Sequence, residues 1–339
     1  MTSRCPKLLA LSVLATAAFV LVLSGPALAY LKLGTRLQGG MVTLRWRNFP
    51  IRYFVTDAGT TRVGATDFQG AVTRAFNTWN AVETASISSQ FVGFTQARPF
   101  ADDGMTVIGY QSRPELERTL AATTFLIDVT DGEIVESDIF FNTSFPWSTA
   151  PAGETGRFDV ESIALHEVGH LHGLGHSAIG ETEIRPGGRR VLGAQAVMFP
   201  IAFSAGSTAD RRLKPDDIAG LSDVYPGTGA ASRRLGSLSG RVTRNGDGVS
   251  GAHVVALNPA TGALVGGFTL GADGTFTIAG LEPGPHVLRV EPLDDGDTES
   301  FFDRSFTVDV GFGARFHDRV VVVPEGGGTR NVEIRVTPR

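Results

Sequence analysis

The chain has 339 residues, enough for two domains at roughly 150 residues each. Hydrophobic residues make up 42% and charged residues 19%, which excludes a disordered chain, and a net charge of −5 lacks the basic footprint that a nucleic-acid partner needs. Only one long apolar run exists, at the start, so collagen, coiled coil and multi-span membrane protein are excluded as well.

That run is a targeting device. Arg4 and Lys7 precede apolar residues 8–23, and Ala27-Leu28-Ala29 carries the small-x-small pattern that a signal peptidase reads. Residues 1–29 are expected to be a signal peptide and the chain to be secreted. The apolar stretch falls short of the roughly 20 residues a span needs, so no membrane association is expected after cleavage. Removing 1–29 takes away Cys5, the only cysteine, and shifts the net charge from −5 to −7. A secreted chain without disulfides is held by its core and by metal ions.

From Tyr30 to Tyr225 strand and helix patterns mix. Residues 51–55 read as a short strand. Thr66 is placed to N-cap a helix whose apolar residues Phe68, Ala71, Val72, Ala75, Phe76, Trp79 and Val82 recur at helical spacing. Val92, Phe94, Val107, Ile108 and Tyr110 belong to further strands. The β-branched runs 120–129 and 134–141 flank the turn signal Thr130-Asp131-Gly132. Asp159 opens a second helix through His166 and His170. A third follows Pro215, with Asp216 and Asp217 in its first turn and Ile218, Leu221 and Val224 inward.

Residues 227–237 read as a linker. Beyond them lie short alternating segments at 238–242, 252–257, 268–270, 275–278, 286–290, 306–310, 320–323 and 331–336, split by turn signals such as Asn245-Gly246-Asp247-Gly248. They indicate an all-β sandwich.

One cluster carries chemistry. His166-Glu167-Val168-Gly169-His170-Leu171-His172-Gly173-Leu174-Gly175-His176 holds four of the seven histidines. His166 and His170, four apart, project from one helix face and can share a Zn²⁺. Gly173 permits a left-handed exit from the helix, which brings His176 back as third ligand and leaves a coordination position open to water. Glu167, beside the first ligand, is placed to take a proton from that water. His172 fits neither ligand spacing and reads as exposed polar filler.

The motif resembles the H-E-x-x-H-x-x-G-x-x-H signature of the metzincin metallopeptidases. Ala196-Val197-Met198-Phe199-Pro200 resembles their Met-turn, with Met198 beneath the metal. Ser177, directly after the third histidine, and the segment 214–221 resemble the matrixins in particular, as does the strand ending at Asn142. This resemblance covers most of residues 45–226 and implies a zinc endopeptidase with an α+β catalytic domain, a mixed twisted sheet with three helices. It implies that strand 120–127 pairs with an extended substrate. Matrixins commonly carry a second, structural zinc, but no histidine precedes His166 and none is expected here. Family members often hold calcium, for which Asp102, Asp103, Asp128, Asp131 and Asp138 are loose candidates, with solvated turn acids the favoured reading. Residues 176–198 are longer than usual and are expected to form a surface loop. The wall after Met198 reads Pro-Ile-Ala-Phe without the family's usual tyrosine, and no cysteine switch lies between Tyr30 and Arg45.

Residues 238–339 resemble a carboxypeptidase regulatory-like domain, a transthyretin-type sandwich, carried by Leu238-Ser239-Gly240-Arg241-Val242, 248–254 and 274–284. His253, His286 and His317 are scattered over it and read as surface residues.

The expectation is a monomeric, secreted zinc endopeptidase: signal peptide 1–29, catalytic domain 30–226, linker 227–237 and sandwich 238–339. His166, His170 and His176 hold one catalytic Zn²⁺, Glu167 is the base and Met198 supports the site, with protein or peptide as substrate. Two rivals are a secreted binding or adhesion protein with a vestigial zinc site, and a peptidase dedicated to one partner recognised by the sandwich.

Overall fold

The computed structural model describes residues 32–37, 40–186, 188–293, 297–302 and 306–339. The signal-peptide expectation, residues 1–29, lies outside them. The described chain begins with a short hairpin, β1 (Gly34–Leu37) and β2 (Gly40–Thr43), and continues into β3 (Ile51–Thr56). α1 (Ala65–Asn80) follows, then β4 (Ser89–Thr95), β5 (Thr106–Gln111), β6 (Ala121–Ile127) and β7 (Ile134–Asn142). The two-residue pair β8 (Trp147–Ser148) and β9 (Phe158–Asp159) leads into α2 (Val160–Leu171).

β3 to β7 form one twisted sheet in the order β4-β3-β5-β7-β6. The first four strands pair in parallel, and β6 runs antiparallel to β7. Among the described residues β6 is therefore an edge strand, with no strand paired to its outer row of backbone groups. α1 buries Phe68, Ala71, Val72, Ala75, Phe76 and Trp79, the stripe that its periodicity predicts. Its N-cap is Gly64 rather than Thr66, which sits inside the first turn. No side chain caps this end, so Thr66 contributes as an ordinary helical residue.

α2 is capped as predicted: Asp159 accepts from the Ser162 N–H at 2.8 Å. The same carboxylate takes Arg211 in a two-pronged pair at 2.6 and 2.9 Å. The two helices are joined by the Trp79 indole N–H, which donates to Leu165 O at 2.8 Å.

Residues 176–198 are not a plain loop. They contain the antiparallel hairpin β10 (Gly180–Arg185) and β11 (Gly188–Ala194). α3 (Pro215–Val224) starts with proline in its first turn and buries Leu221 and Val224, while Ile218 is exposed rather than inward. The segment 227–237 is also more ordered than a bare linker, since it carries α4 (Ala230–Arg234) and the start of β12 (Gly236–Arg244).

The remaining chain is the expected sandwich. Its strands are β12, β13 (Asp247–Gly248), β14 (His253–Leu257), β15 (Leu264–Phe268), β16 (Thr275–Leu281) and β17 (Gly284–Glu291). β18 (Arg315–Phe316), β19 (Val321–Val323) and β20 (Gly328–Val336) complete it. One sheet orders β13-β12-β16 with β20 beside β12; the other orders β15-β14-β17-β18 with β19 beside β17. The strand predicted at 268–270 lies earlier, over β15, and residues 306–310 form none because they lack a ladder partner. His253 and His286 are buried, not surface residues. His253 is covered by Phe268 stacked at 5.1 Å and held by Glu291.

The sandwich packs directly on the α/β domain that precedes it. Ala219 of α3 belongs to the sandwich core. The buried Asp216 carboxylate accepts from the Gly266 N–H at 2.8 Å. Gly280 (φ +71°) passes so close to Ala219 that a Cβ would lie 2.7 Å from its carbonyl oxygen.

Trp79 is fully buried and bridges both helices. Trp79→Ala is expected to lower unfolding free energy by about 3–5 kcal/mol, read as a reduced denaturant midpoint at unchanged slope. A loss below about 1 kcal/mol would contradict this packing.

Candidate metal centre

α2 aims His166 and His170 from one face, and the chain then turns in a motif set by Gly173. Leu174 N–H donates to Gly169 O at 3.1 Å and Gly173 N–H to His170 O at 2.6 Å. These are the two bonds of a Schellman cap, with Gly173 at φ +86° in the left-handed region. The last carbonyls of the helix, in a buried setting, find side-chain donors: Trp46 Nε1–H donates to Leu171 O at 2.8 Å and Tyr225 O–H to His172 O at 2.9 Å. The turn delivers His176 to the other two histidines, as predicted.

Each imidazole gives its Nδ1 proton to a backbone carbonyl. His166 donates to Val197 O at 2.8 Å, His170 to Leu174 O at 2.8 Å and His176 to Ser300 O at 2.5 Å. A carbonyl can only accept, so the tautomer is fixed and every Nε2 presents a lone pair. The ligand atoms lie within 4.8 Å of one another, and His170 Nε2 is 3.2 Å from His176 Nε2. Lone pairs that close repel unless they share a cation. Tetrahedral Zn²⁺ with Zn–N bonds of about 2.0–2.1 Å places two ligand nitrogens about 3.3 Å apart. The donor set and its spacing fit zinc.

Burial holds all three rings below the usual imidazole range, His166 at about 3, so they are neutral imidazoles rather than imidazolium. Burial likewise raises the Glu167 carboxyl to about 7, against the lowering effect of a hydrogen bond from Thr123. Thr123 Oγ1 on β6 donates to Glu167 Oε2 at 2.7 Å. The edge strand thus fixes the carboxylate beside the histidines.

Below them lies Met198, which is buried. Asp217 clamps this turn: its carboxylate accepts from Val197 N–H at 2.9 Å, Met198 N–H at 3.1 Å and Lys214 N–H at 2.8 Å. Gly169 has a separate reason to be glycine. A Cβ there would lie 2.2 Å from Met198 Sδ and 2.8 Å from Trp79 Cζ2, so only a bare backbone lets α2 rest on the turn.

Over the centre opens a cleft of about 850 Å³. It is walled by Leu120 and β6 residues 121–125 on one side, by Phe199, Pro200, Ile201, Ala202 and Phe203 on another, and by Arg189, Asp297, Ser300 and Phe301 on a third.

The structure corrects other readings. His172 is not exposed filler; it is fully buried, edge-on to Phe76, Trp79 and Tyr225. Among the calcium candidates, Asp138 is no solvated turn acid. It is buried and accepts from Val107 N–H at 2.7 Å and Phe100 N–H at 2.5 Å. Asp128 and Asp131 are turn acids, bonded to Thr130 and paired with Arg47 respectively. Among the described residues the three histidines are the one cluster spaced for a metal ion.

Thr123, Asp217 and Ser300 were missed by sequence reasoning. The acid in the first turn after Pro215 was visible, but its task of holding Met198 was not. Gly169 left a signal, because a glycine inside a helix costs up to about 1 kcal/mol and asks for a packing reason.

This fold and its three-histidine site define a metzincin-class domain. The comparisons with known proteins agree, since residues 45–226 match the Matrixin family and residues 237–337 the carboxypeptidase regulatory-like domain. The chain belongs to the matrixin family. Metalloendoproteinase 1 of Glycine max is 29% identical over 171 residues, covering 47% of this chain and 45% of that protein. Metalloendoproteinase 2-MMP of Arabidopsis thaliana is 26% identical over 172 residues, 47% of this chain and 37% of that one. Metalloendoproteinase 5-MMP of Arabidopsis thaliana is 42% identical over 71 residues, 20% of this chain and 15% of that one. The chain thus spans less than half the length of the curated relatives it matches.

Gly169→Ala gains helix propensity yet collides with Met198. It is expected to lower the melting temperature of the zinc-loaded protein and weaken zinc binding. A melting temperature at or above that of the parent would contradict the close approach.

Proposed function

We propose that this chain is a secreted endopeptidase that takes an extended peptide along β6 and hydrolyses it at the histidine centre, with Glu167 as general base. The observation that carries the reading is the convergence of three Nε2 lone pairs beside the buried Glu167 carboxylate, in a cleft bordered by a strand edge that is unpaired among the described residues. Zinc held by His166, His170 and His176 would supply a Lewis acid that polarises the scissile carbonyl and acidifies an attacking water.

The chain's own residues do the rest. β6 offers its free backbone row to the substrate, which adds as a further strand and so brings its carbonyl over α2. Thr123, on that same strand, holds Glu167 Oε2 and fixes the direction of the carboxylate. Glu167 then takes the proton of the attacking water and passes it to the leaving amine. Asp217 and Met198 keep the floor of the site rigid, so that the carboxylate and the bound strand stay in register.

Secretion rests on the sequence of residues 1–29. Among the described residues no helix is long and apolar enough to cross a membrane. A binding protein with a vestigial site would have no use for Glu167. Its buried carboxylate, held by a dedicated hydroxyl, favours catalysis over that rival.

The test is cleavage of a mixed quenched-peptide library by the full mature chain, with chelator, zinc add-back and Glu167→Gln run side by side. The chelator is expected to abolish cleavage, zinc to restore it, and Glu167→Gln to lower kcat by about 10²–10⁴-fold while zinc uptake persists. Equal turnover by Glu167→Gln and parent would overturn the base assignment. No cleavage by the folded, zinc-loaded parent would overturn the general peptidase reading and leave the dedicated-partner enzyme.

A further inference from the structure

Two of the three histidines are oriented from within the catalytic domain, His166 by Val197 O and His170 by Leu174 O. The third is not. His176 Nδ1–H donates to Ser300 O, which belongs to the sandwich and lies 124 residues away in sequence. We propose that the β-sandwich is a working part of the metal centre, with Ser300 as the positioning residue that orients His176. The proposal rests on the reading that the three histidines hold zinc.

The need for such a partner follows from where His176 sits. His166 and His170 are set by the helix that carries them, whereas His176 lies beyond the Schellman turn on chain with no regular ladder. Its ring direction is fixed only by what it touches. A ligating histidine whose second nitrogen is unheld can rotate away, and losing such an outer partner typically weakens metal binding by about 10–100-fold.

The sandwich holds the acceptor firmly. Ser300 sits in a single tight helical turn, Thr298–Ser300, closed by Ser300 N–H to Asp297 O at 2.8 Å and Phe301 N–H to Thr298 O at 3.0 Å. Phe301 and Phe302 then plunge into a buried cluster with Phe268, Leu293 and Ala178. Ala178 comes from the catalytic domain, two residues after His176, so this small core pins ligand and acceptor together. The Phe301 ring itself lies edge-on to the His176 ring at 6.5 Å. Elsewhere the domains are locked by the Asp216–Gly266 bond and the Gly280–Ala219 contact described above. These contacts have a thermodynamic corollary. If docking of the sandwich favours zinc binding, zinc must favour docking by the same factor.

The test uses the full mature chain and reads metal affinity, not turnover. Zinc dissociation constants are measured by competition with a chromophoric chelator for the parent, for Phe301→Ala, and for Val336→Ala. The last removes buried volume from the sandwich at the end of β20 that pairs with Arg244, away from the contact with Ala219. Phe301→Ala is expected to raise the zinc dissociation constant about 10–100-fold and to alter the visible spectrum of the cobalt-substituted protein. Val336→Ala is expected to stay within about twofold of the parent with an unchanged cobalt spectrum. Equal affinities and identical spectra for parent and Phe301→Ala would overturn the proposal. A parent that binds no zinc would instead overturn the metal-centre reading on which it rests, a different result. Should Phe301→Ala not fold, imidazole ¹⁵N spectra of the zinc-loaded parent decide. A slowly exchanging His176 Nδ1–H supports the bond to Ser300, and one exchanging as freely as an exposed imidazole overturns it.

Discussion

Everything in this protein's site depends on where three imidazole protons go. Three part-buried histidines can bind one cation only if each is neutral and each turns an unprotonated nitrogen inward. Backbone carbonyls from three separate places, at Val197, Leu174 and Ser300, enforce that choice. The first lies on the turn under the site, the second just past the helix end, the third in the sandwich. The scaffold can be understood as the means of bringing those three carbonyls to one point.

Each support has an identifiable physical origin. Val197 is held because the buried Asp217 carboxylate gathers the N–H groups of Val197 and Met198 onto the first turn of α3. Leu174 is held because Gly173 accepts a left-handed conformation that other residues resist. α2 can settle on Met198 only because Gly169 has no side chain. β6, bonded on one side to β7 and unpaired on the other among the described residues, carries Thr123 to Glu167 and gives the cleft its strand edge. Under the proposed mechanism, one strand therefore serves both the base and the surface along which a peptide would lie.

The sequence was most informative where chemistry follows from local spacing. Histidines four apart on a helix must share a face, and Asp159 before an apolar run is a cap whatever surrounds it. Many of the strands and turns of both domains were legible for the same reason, though not the β10–β11 hairpin or the position of β15. Hidden from it were the partners supplied by the backbone of distant segments, since a carbonyl has no sequence signature. Ser300 is the extreme case. His172 was misread because polarity alone suggested exposure, while the turn at Gly173 in fact seats it beneath the helix against Phe76 and Trp79. Residues 306–310 alternate like a strand but have no ladder to join, which only tertiary structure decides. Asp138 was classed with the turn acids, yet its carboxylate receives the N–H groups of Phe100 and Val107 inside the fold.

The most direct measurement is X-ray absorption at the zinc edge of the zinc-loaded full mature chain. The account requires three imidazole nitrogens at about 2.0–2.1 Å and one oxygen ligand, with one zinc per chain. Replacement of His176 by a non-ligand should reduce the count to two imidazoles. A parent spectrum with fewer than three imidazoles, or a closed shell of four protein ligands, would contradict it.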